Sequence, residues 1–425
     1  MSRIVIAGGG IAGLCTALAL HATGHRDITV LERARSVEPL GSGINVMPQA
    51  VRELDRLGLL DDLRAISVET TELVYATAGG EEIWREPRGR RAGFRWPQLS
   101  IHRGWLQMCL ARHVAERLGP DTIVTSSHVL AEPGGLEAGV VRYEDRSIRS
   151  IRSLPADLLI GADGIRSEVR QAVAPEDPGP RPNPQVVWRG MAWGESFLDG
   201  SSMVIAGDGT RKVVFYPIAH KNGRALINWA AAEPMVSETE GGNWNMPARP
   251  KAFAPGFEGW QVEGVDIAEL MLASDDCFAY PMVDLDPLDH WSIGRTTLVG
   301  DAAHAMYPVG SNGATQSIID GAALAHHLAA HHTLDEGLAA YELDRRTATR
   351  PIQAANRAQG PEVVVDLAAA RVPSQFTTVA EAFEDGELAA IASRYARTTS
   401  LDQANTDSPY PAPTTAARLF ERSHA

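Results

Sequence analysis

Apolar runs and helical patterns alternate at the start of the chain. Arg3–Ala7 and Ile28–Leu31 are short apolar stretches with the length of buried strands. Between them, Leu14 and Leu18 repeat at helical spacing, and the pattern ends near Gly24. A strand, a helix and a second strand within about 30 residues are typical of a βαβ unit, whose strands are parallel. The pattern therefore predicts an α/β domain.

Glycines fill the turn between the first strand and its helix. Gly8, Gly10 and Gly13 match G-x-G-x-x-G, a spacing that lets backbone amides at a helix start approach a pyrophosphate. The second strand ends in Glu32, about 20 residues further on, where an acid accepts hydrogen bonds from ribose hydroxyls. The pattern predicts a dinucleotide site that comprises Gly8, Gly10, Ala12, Gly13, Glu32 and Arg33.

A second ligand-binding edge is predicted in the stretch 294–318. The apolar run Thr296–Val299 ends at Gly300 and Asp301, and a helix is expected from Asn312 to His332. An acid at the carboxyl end of a strand and a glycine-rich helix start are features of ligand sites in α/β sheets. We expect Asn312 to cap this helix, whose N-terminus offers partial positive charge.

Three further segments carry polar residues or glycines at the end of a strand or near the start of a helix. The buried strand 157–161 is followed by Asp163 and Gly164, and the helix from about 103 to 119 carries Arg103 and Gln107. The segment 39–45 has glycines before a helical pattern, so Gly43 and Ile44 either contact a ligand or belong to an ordinary loop.

The middle of the chain changes to β patterns. Residues 174–184 are rich in proline and predict a linker at a lobe boundary. Beyond it, alternating apolar and aromatic residues predict strands with one apolar face, which forms either the core of a second lobe or a pocket wall for a planar ligand. The predicted strands are 203–206, 212–218, 225–230 and 278–283, followed from residue 336 by helices.

Composition and charge narrow the classes of partner. The 425 residues carry a net charge of −14, which argues against nucleic acid and anionic membranes as partners. Three separated cysteines indicate reduced thiols, without a metal or disulfide framework, in a cytoplasmic protein. Histidines near 326–332 lack an evident third metal ligand, and the arginines of 85–95 indicate a solvated loop or a contact with a second nucleotide.

Three separated motifs resemble those of the class A FAD-dependent aromatic monooxygenases, which have the p-hydroxybenzoate hydroxylase fold. The motifs are GGGIAG at 8–13 with Glu32, GADGIRSEVR at 161–170, and GRTTLVGDAAHAMYP at 294–308. Local patterns are similar to the phenazine-type branch, that of 5-methylphenazine-1-carboxylate 1-monooxygenase: PLGSGIN at 39–45, WRG at 188–190 and MYPVGSNGATQ at 306–316.

The resemblance implies an α/β fold in three parts. A Rossmann-like FAD-binding domain with the GxGxxG turn would comprise residues 1–70, 99–175 and 284–335. A mainly antiparallel β-sheet substrate domain would be interleaved with it as residues 71–98 and 176–283. Residues 336–425 would form C-terminal helices and a flexible tail.

The resemblance also implies an activity. Bound FAD would be reduced by NAD(P)H as a transient co-substrate, and O₂ would then form a flavin C4a-hydroperoxide that hydroxylates a planar aromatic or heteroaromatic small molecule, with or without decarboxylation. NADH and NADPH, and a monomer and a homodimer, remain equal alternatives. Other functions for such a protein are an FAD-dependent oxidase or dehydrogenase, or a catalytically silent flavoprotein that binds aromatic ligands.

Site residues follow from the matched motifs. Arg103 and Gln107 would reach the phosphate and ribityl region of FAD, Asp163 and Gly164 would serve FAD and nicotinamide, and Gly300 and Asp301 would hold the ribityl chain. The segment 308–313, here named the flavin-edge loop, would contribute Pro308, Gly310, Asn312 and Gly313 to catalysis. The substrate wall would comprise Trp188, Tyr216, Trp229, Tyr280 and Met282. Tyr216, His220 and Tyr280 are the possible bases, and His304 is expected to be structural.

Overall fold

The computed structural model describes residues 2–136, 139–235, 246–372 and 378–399. Its first six helices in chain order are α1 (Ile11–Ala22), α2 (Pro48–Arg56), α3 (Leu60–Arg64), α4 (Arg103–Leu118), α5 (Glu168–Val173) and α6 (Ile267–Leu272). The later helices are α7 (Asp301–His304), α8 (Asn312–Ala330), α9 (Leu334–Arg357), α10 (Val363–Arg371), α11 (Val379–Ala382) and α12 (Glu387–Thr398).

Strands dominate the first three quarters of the chain. The strands up to residue 161 are β1 (Ile4–Ala7), β2 (Ile28–Leu31), β3 (Gly43–Val46), β4 (Ser67–Thr70), β5 (Glu72–Thr77), β6 (Glu82–Pro87), β7 (Gln98–His102), β8 (Ile123–Val124), β9 (Ser127–Leu130), β10 (Val140–Asp145), β11 (Ser150–Pro155) and β12 (Leu158–Gly161). Those that follow are β13 (Arg181–Glu195), β14 (Met203–Gly207), β15 (Lys212–Lys221), β16 (Arg224–Pro234), β17 (Met246–Pro247), β18 (Gln261–Val262), β19 (Val265–Asp266), β20 (Cys277–Asp284), β21 (Ser292–Ile293) and β22 (Thr296–Leu298).

A six-stranded sheet carries the sequence motifs. Its order is β21-β22-β12-β1-β2-β8, and the pairs between β22 and β8 are parallel. The strands β1, β12 and β22 are buried throughout, as expected for a parallel sheet covered on its faces. Since parallel strands end at one edge, the glycine turn after β1, Asp163 after β12 and Asp301 after β22 meet there.

Helices α1 and α8 pack against each other beside this sheet. The interior between them is apolar and includes the buried residues Leu14 and Leu18, as well as Ile318 and Leu324. A three-stranded sheet in the order β3-β7-β4 and helix α4 complete this half of the protein. The packing fixes both helix N-termini at the edge where the strand ends meet.

An eight-stranded sheet forms the second half. Its order is β17-β20-β13-β16-β15-β14-β5-β6, and its pairs are antiparallel apart from the parallel pair of β14 and β5. The longest strand, β13, begins at Arg181, so the expected linker 174–184 is already part of the sheet at its end. The prolines at 182 and 184 lie at a register irregularity, where missing amide hydrogens are tolerated.

The C-terminal helices cover the eight-stranded sheet. The capping box of Thr333 and Glu336 starts α9, and α10 then packs on β5 and β14, where Val364 and Val365 are buried. The 3-10 turn 360–362 and α12 lie beside residues 309–311 of the flavin-edge loop.

In the described part of the chain, no helix combines the length and the apolar character needed to cross a bilayer.

Candidate active site

A cavity of about 390 Å³ lies where the two large sheets face each other. Three groups of residues line it. The first comes from two sources: the strand ends and loops of the six-stranded sheet give Gly10, Ala12, Gly164 and Asp301, and β3 with its preceding loop and the start of α4 gives Ser42, Gly43, Ile44 and Arg103. The second is the flavin-edge loop with the start of α8, and the third is one face of the eight-stranded sheet with the residues Glu362, Tyr395 and Thr399.

The glycine turn after β1 is closely packed beneath the cavity. A Cβ atom at Gly13 would overlap the carbonyl oxygen of Gly8, so the helix can approach the strand only with glycine at this position. Gly10 faces open space at the cavity wall. Gln107 Nε2 donates to the carbonyl of Gly9 at 2.8 Å and holds the turn from the side of α4.

Glu32 braces the same turn. Its Oε2 accepts the amide of Gly9 at 2.7 Å, and its Oε1 accepts the amide of Ala34 at 2.7 Å. The neighbouring Arg33 is exposed and lies outside the cavity lining. The acid therefore sits at the end of β2 with its carboxylate directed at the glycine turn, where the adenosine ribose of a dinucleotide would lie.

The loop 39–45 is tied to α4 and to the opposite sheet. Gly43 donates its amide to Asn228 Oδ1 at 2.6 Å, and the amide of Arg103 donates to the carbonyl of Ser42 at 2.9 Å. The His102 ring accepts the Gly104 amide at Nδ1, which leaves Nε2 to donate to the Gly41 carbonyl at 3.0 Å. Burial lowers the pKa of His102, so the ring is held neutral in this tautomer.

Asp163 acts on the protein backbone. Its carboxylate accepts the Ser167 hydroxyl and the amides of Glu168 and Val169, the latter two at 2.9 and 3.3 Å. These bonds start α5 directly after β12, and they leave the adjacent Gly164 at the cavity wall. The motif thus presents backbone to the cavity and uses its acid to fix that backbone.

Buried Arg170 connects the motif at 161–170 to the motif at 294–308, which contains Gly300 and Asp301. Its guanidinium forms a bidentate pair with Asp177 at 2.7 and 3.0 Å. It also donates to the carbonyls of Ala302 and Ala303, at 3.1 and 2.9 Å, near the C-terminal end of α7. A planar guanidinium can satisfy all these acceptors at once, so one side chain fixes the position of α7 and of Asp301 at its start.

Asp301 lines the cavity, and its carboxylate has no hydrogen bond to a side chain among the described residues. Burial by the surrounding protein raises its pKa, while His304 and Arg103 nearby favour the charged form. Gly300, just before it, donates its amide to buried Asp320 at 2.8 Å. An acceptor that faces a cavity without a partner is suited to a ligand rich in hydroxyl groups.

A buried polar network supports this region from behind. His304 Nε2 lies 2.6 Å from Asp320 Oδ2, and Arg345 Nε donates to Asp320 Oδ1 at 2.8 Å. Burial alone would raise the pKa of Asp320, but His304 and Arg345 outweigh it and hold this pKa at about 2. His304 is fully buried away from the cavity, which agrees with the structural role expected from the sequence.

The flavin-edge loop turns sharply before α8. Gly310 has φ 66° and Ser311 has φ 57°, both left-handed, and a Cβ atom at Gly310 would overlap the Tyr395 hydroxyl. Asn312 is not the helix cap expected from the sequence, because the cap position is Ser311 and Asn312 is already helical. Its Nδ2 donates instead to the Gly310 carbonyl at 3.0 Å and to the Tyr395 hydroxyl at 2.9 Å.

The N-terminus of α8 therefore points at the cavity. Gly313, Ala314 and Ser317 of this 19-residue helix line the wall together with Pro308. The first amides of a helix lack intrahelical acceptors and carry partial positive charge, which stabilises an anionic ligand group that lies next to them. Glycine at 313 adds no side chain that would keep a ligand away from these amides.

One face of the eight-stranded sheet forms an apolar floor, defined here as Val187, Ile205, Val214, Ala230 and Ala232. The register places these side chains in rows across β13, β16, β15 and β14, so they share one face. Small and β-branched side chains at neighbouring positions give a low, even surface. Such a floor suits a flat aromatic ring system.

Arg189 projects from the edge of the apolar floor. Its guanidinium lies 5.5 Å from the centre of the Tyr280 ring, and its Nε is buried without a hydrogen-bond partner in the described residues. Burial lowers the pKa of Arg189, which the hydroxyls of Tyr216 and Tyr280 partly offset. A shielded guanidinium of this kind is suited to a carboxylate ligand, which would compensate its charge.

Two tryptophans expected at the substrate wall face the other way. Trp188 stacks on Phe253 at 4.4 Å, and Trp229 is fully buried with its indole nitrogen donating to Ser274 Oγ at 2.8 Å. Successive residues of a strand point to opposite faces of the sheet. Trp188 is next to Arg189 and Trp229 is next to Ala230, so both tryptophans point away from the cavity. The expectation for Trp188 and Trp229 is corrected, since both belong to the core beneath the floor.

Other expected substrate residues do reach the cavity side. Tyr216 and Met282 line the cavity, and Tyr280 lies beside Arg189. Burial raises the pKa of the Tyr216 hydroxyl, which makes it a hydrogen-bond donor at neutral pH and a poor base. His220 is exposed and lies 2.8 Å from the carbonyl of Gly200, outside the cavity lining.

The far edge of the floor is polar. Lys212 Nζ bonds to Asp366 at 2.9 Å and to Gln359 at 3.0 Å, and Arg88 is paired with Glu86. Glu362 faces the cavity beside them. Sequence reasoning did not assign Lys212, Glu362, Arg88, Arg189 or Tyr395 to the substrate side of the cavity. Two signals could have pointed to Arg189: the motif WRG at 188–190 contains it, and it lies two positions after lining residue Val187 on β13, where alternate residues share a face.

Three of the five arginines in the segment 85–95, namely Arg85, Arg88 and Arg91, are bound to acidic partners. Arg85 pairs with Glu72 at 2.6 Å and with Glu82 at 2.7 Å, and Arg91 pairs with Glu72 at 3.1 Å. These carboxylates neutralise the positive charges of the arginines, which would otherwise be available to bind the phosphates of a second nucleotide. The histidines near the end of α8 are similarly engaged, since His327 Nε2 lies 3.0 Å from Asp344.

The cavity fits FAD by its own chemistry. It offers glycine backbone at the start of α1, an unpartnered acid at Asp301 and the amides of α8, in the order in which pyrophosphate, ribityl chain and flavin ring would meet them. The apolar floor and Arg189 remain beyond the flavin-edge loop for a second molecule.

Comparison with known proteins agrees with this geometry. The family described as FAD binding domain matches residues 1–241 and 278–355. The phenazine 1,6-dicarboxylic acid hydroxylase PhzS of Lysobacter antibioticus is 43% identical over 361 residues, covering 83% of this chain and 89% of the relative. The 3-amino-4-hydroxybenzoate 2-monooxygenase PtmB3 of Streptomyces platensis is 32% identical over 370 residues, covering 85% and 88%. The Klebsiella pneumoniae HpxO structure with FAD and uric acid has a TM-score of 0.74 at 21% identity, covering 94% and 98%, which shows a shared fold.

Proposed function

Since the chain belongs to the FAD-binding-domain family, as an FAD-dependent aromatic hydroxylase, we propose that its substrate is a planar heteroaromatic carboxylic acid of the phenazine type. The single observation that carries the substrate class is Arg189, a shielded cation at the edge of the apolar floor that has no carboxylate partner among the described residues. A flat ring system would lie on the floor, and its carboxylate would bind the guanidinium.

Two independent observations support a phenazine-type acid as the substrate. The relative with 43% identity is named for a phenazine dicarboxylic acid, and its similarity spans 83% of this chain. The apolar floor extends over four adjacent strands, β13, β16, β15 and β14, and neighbouring strands are about 5 Å apart. A floor of this width suits fused rings better than one benzene ring.

The proposed cofactor contacts follow the cavity wall. Gly10, Gly13 and Glu32 would hold the adenosine half of FAD, and Arg103, Gln107 and Asp301 would hold the phosphate and ribityl region. When bound, FAD supplies hydride acceptance from NAD(P)H and the activation of O₂. We propose that the N-terminus of α8 stabilises negative charge on the flavin ring, because its free amides line the cavity there.

The remaining residues would orient the substrate and exclude water. Arg189 would fix one end of the acid, and the neutral Tyr216 hydroxyl would donate a hydrogen bond to it. The apolar floor and Met282 would keep water from the reacting ring. We propose the same division into domains as predicted, 1–70, 99–175 and 284–335 against 71–98 and 176–283, because β5 and β6 join the eight-stranded sheet.

Substrate-stimulated NAD(P)H oxidation tests the proposal. The FAD-loaded protein is screened with phenazine-1-carboxylic acid, salicylic acid and unsubstituted phenazine, with ¹⁸O₂ as the oxygen source. We expect the phenazine acid to accelerate NAD(P)H oxidation and to gain one labelled oxygen atom. Oxidation of the acid without labelled oxygen would indicate an oxidase or dehydrogenase, and tight binding without NAD(P)H oxidation would indicate a silent binding protein.

A further inference from the structure

Glu362 faces the substrate side of the cavity from the turn between α9 and α10. This turn packs against the flavin-edge loop, since a Cβ atom at Gly360 would lie 2.9 Å from both Val309 Cγ1 and the Tyr395 ring. The amide of Gly310 approaches the carboxyl and favours its charged form. The acid is therefore fixed between the flavin-edge loop and the apolar floor.

The charges around the floor are arranged asymmetrically. Lys212 is already paired with Asp366 at 2.9 Å, and Arg88 is paired with Glu86. Arg189, on β13, has no carboxylate partner among the described residues, and the other lining cation without such a partner there, Arg103, lies at the start of α4 on the cofactor side. The opposite edge, at Lys212 on β15, carries the additional carboxyl of Glu362.

The distance between the two edges follows from the register. Arg189 is opposite Ala230, which is opposite Val214, and Lys212 lies two residues further along β15. Two strand spacings and two residues of rise separate their backbones by roughly 12 Å. A fused three-ring acid held by Arg189 would thus bring its opposite edge near Glu362.

We propose that Glu362 is a specificity-determining residue that selects against a second carboxylate on the ring edge remote from Arg189. The inference rests on the proposed function and names its substrate more narrowly, as a monocarboxylic acid. Two carboxylates brought together in a shielded site repel each other, whereas a hydroxyl group at that edge can donate a hydrogen bond to Glu362.

The protonation state of Glu362 makes the selection dependent on pH. Burial raises the pKa of Glu362 to about 7, while Lys212 and the Gly310 amide oppose the shift and Asp366 adds to it. The hydroxyls of Tyr75 and Tyr395 also face this carboxyl, and burial raises the pKa of both. A second substrate carboxylate would therefore meet a largely neutral acid below about pH 6 and a carboxylate above about pH 8.

Calorimetric titration of the FAD-loaded protein tests the selection, with phenazine-1-carboxylic acid and phenazine-1,6-dicarboxylic acid as ligands. We expect wild type to bind the monoacid at least about tenfold more tightly at pH 8, and the preference to fall severalfold at pH 6. Glu362→Gln should bind the diacid about tenfold more tightly than wild type, with little change for the monoacid and no pH dependence of the ratio. Glu116→Gln, on the exposed face of α4, carries the same charge change and should behave as wild type.

The outcomes separate this inference from the proposed function. If the monoacid binds and stimulates NAD(P)H oxidation but Glu362→Gln leaves the ratio of the two affinities within twofold, Glu362 does not select. A wild-type preference for the diacid also overturns the inference and leaves the proposed function intact. If neither acid binds or stimulates oxidation, the proposed substrate class is wrong and the inference falls with it.

Discussion

The Tyr395 hydroxyl lies 2.9 Å from the side-chain nitrogen of Asn312 and thereby joins the last described helix to the flavin-edge loop. The same hydroxyl donates to Asn356 Oδ1 at 2.7 Å, so α9, α12 and the loop meet at one oxygen atom. Burial raises the pKa of Tyr395, which keeps the hydroxyl protonated as the geometry requires. A residue 83 positions after Asn312 in the sequence thus holds the turn that aims α8 at the cavity.

Tyr395→Phe should loosen the flavin-edge loop without unfolding the protein. The lost hydrogen bonds are worth about 1 kcal/mol, and Asn312 and Asn356 are left without this partner. We expect the share of NAD(P)H oxidation that yields hydrogen peroxide to rise roughly threefold, because the loop no longer closes the reacting site firmly. Peroxide and product are measured in the same reaction. Tyr143→Phe, in the sheet of β9 to β11, is the matched control and should leave coupling unchanged.

Asp301→Ala should weaken FAD binding. Within the described residues the carboxylate has no side-chain partner and faces the cavity, so its removal takes an acceptor from the ligand and leaves no described side-chain donor unsatisfied. We expect the dissociation constant of FAD to rise about tenfold, as measured by flavin fluorescence on titrating apoprotein. Asp208→Ala, in the turn before β15, should not change it. An unchanged constant for Asp301→Ala would remove this residue from the ribityl site.

Arg189→Met should impair the binding of aromatic acids and spare neutral analogues. A hydrogen-bonded pair with a charged group contributes about 2 kcal/mol, which is about thirtyfold in affinity. We expect KM for phenazine-1-carboxylic acid to rise by about that factor, while the dissociation constant of unsubstituted phenazine stays the same. Arg189→Lys should recover part of the loss, since it keeps the charge. Equal losses for acid and neutral ligand would show that Arg189 shapes the floor and does not bind the carboxylate.

Asp320→Asn should destabilise the protein at neutral pH and less so in acid. The folded state holds the pKa of Asp320 at about 2, below the usual value near 3.9 for an unfolded aspartate. A depressed pKa contributes stability that is present above about pH 4 and is lost as pH falls toward about pH 2. We expect urea unfolding with excess FAD to show a deficit of about 3 kcal/mol at pH 7, because His304 and Arg345 lose their partner. A deficit that does not shrink at lower pH would exclude the carboxylate charge as its cause.

Local patterns predicted the parts of the site that belong to one turn or one strand end. The spacing of Gly8, Gly10 and Gly13 and the acids at 32 and 301 follow from contacts within a βαβ unit or at a strand terminus. The structure places Gly10 and Asp301 in one cavity, because the parallel strands before them end at a common edge. The α/β fold class was predictable for the same reason and is confirmed.

The substrate side was far less predictable. The alternation of Val214 and Tyr216 correctly indicated a face of the sheet, but aromatic composition alone placed Trp188 and Trp229 on that face. A shift of one residue moves a side chain to the other side of a strand. Which of two neighbouring residues faces the substrate therefore depends on which face of the sheet the core occupies. That choice is made by packing with Phe253, far away in the sequence.

The sequence by itself determined the family, the cofactor class and the parallel sheet, because these depend on short motifs, each of which spans fewer than about 30 residues within its own segment. Tertiary structure alone decided that Arg189 stands unpaired at the floor, that Glu362 faces it from a distant turn and that Tyr395 holds the flavin-edge loop. Each of these depends on which segments meet in space, and on which neighbouring charge already has a partner. Long-range packing determines which segments meet and which charges are paired, and neither can be predicted from a short sequence pattern.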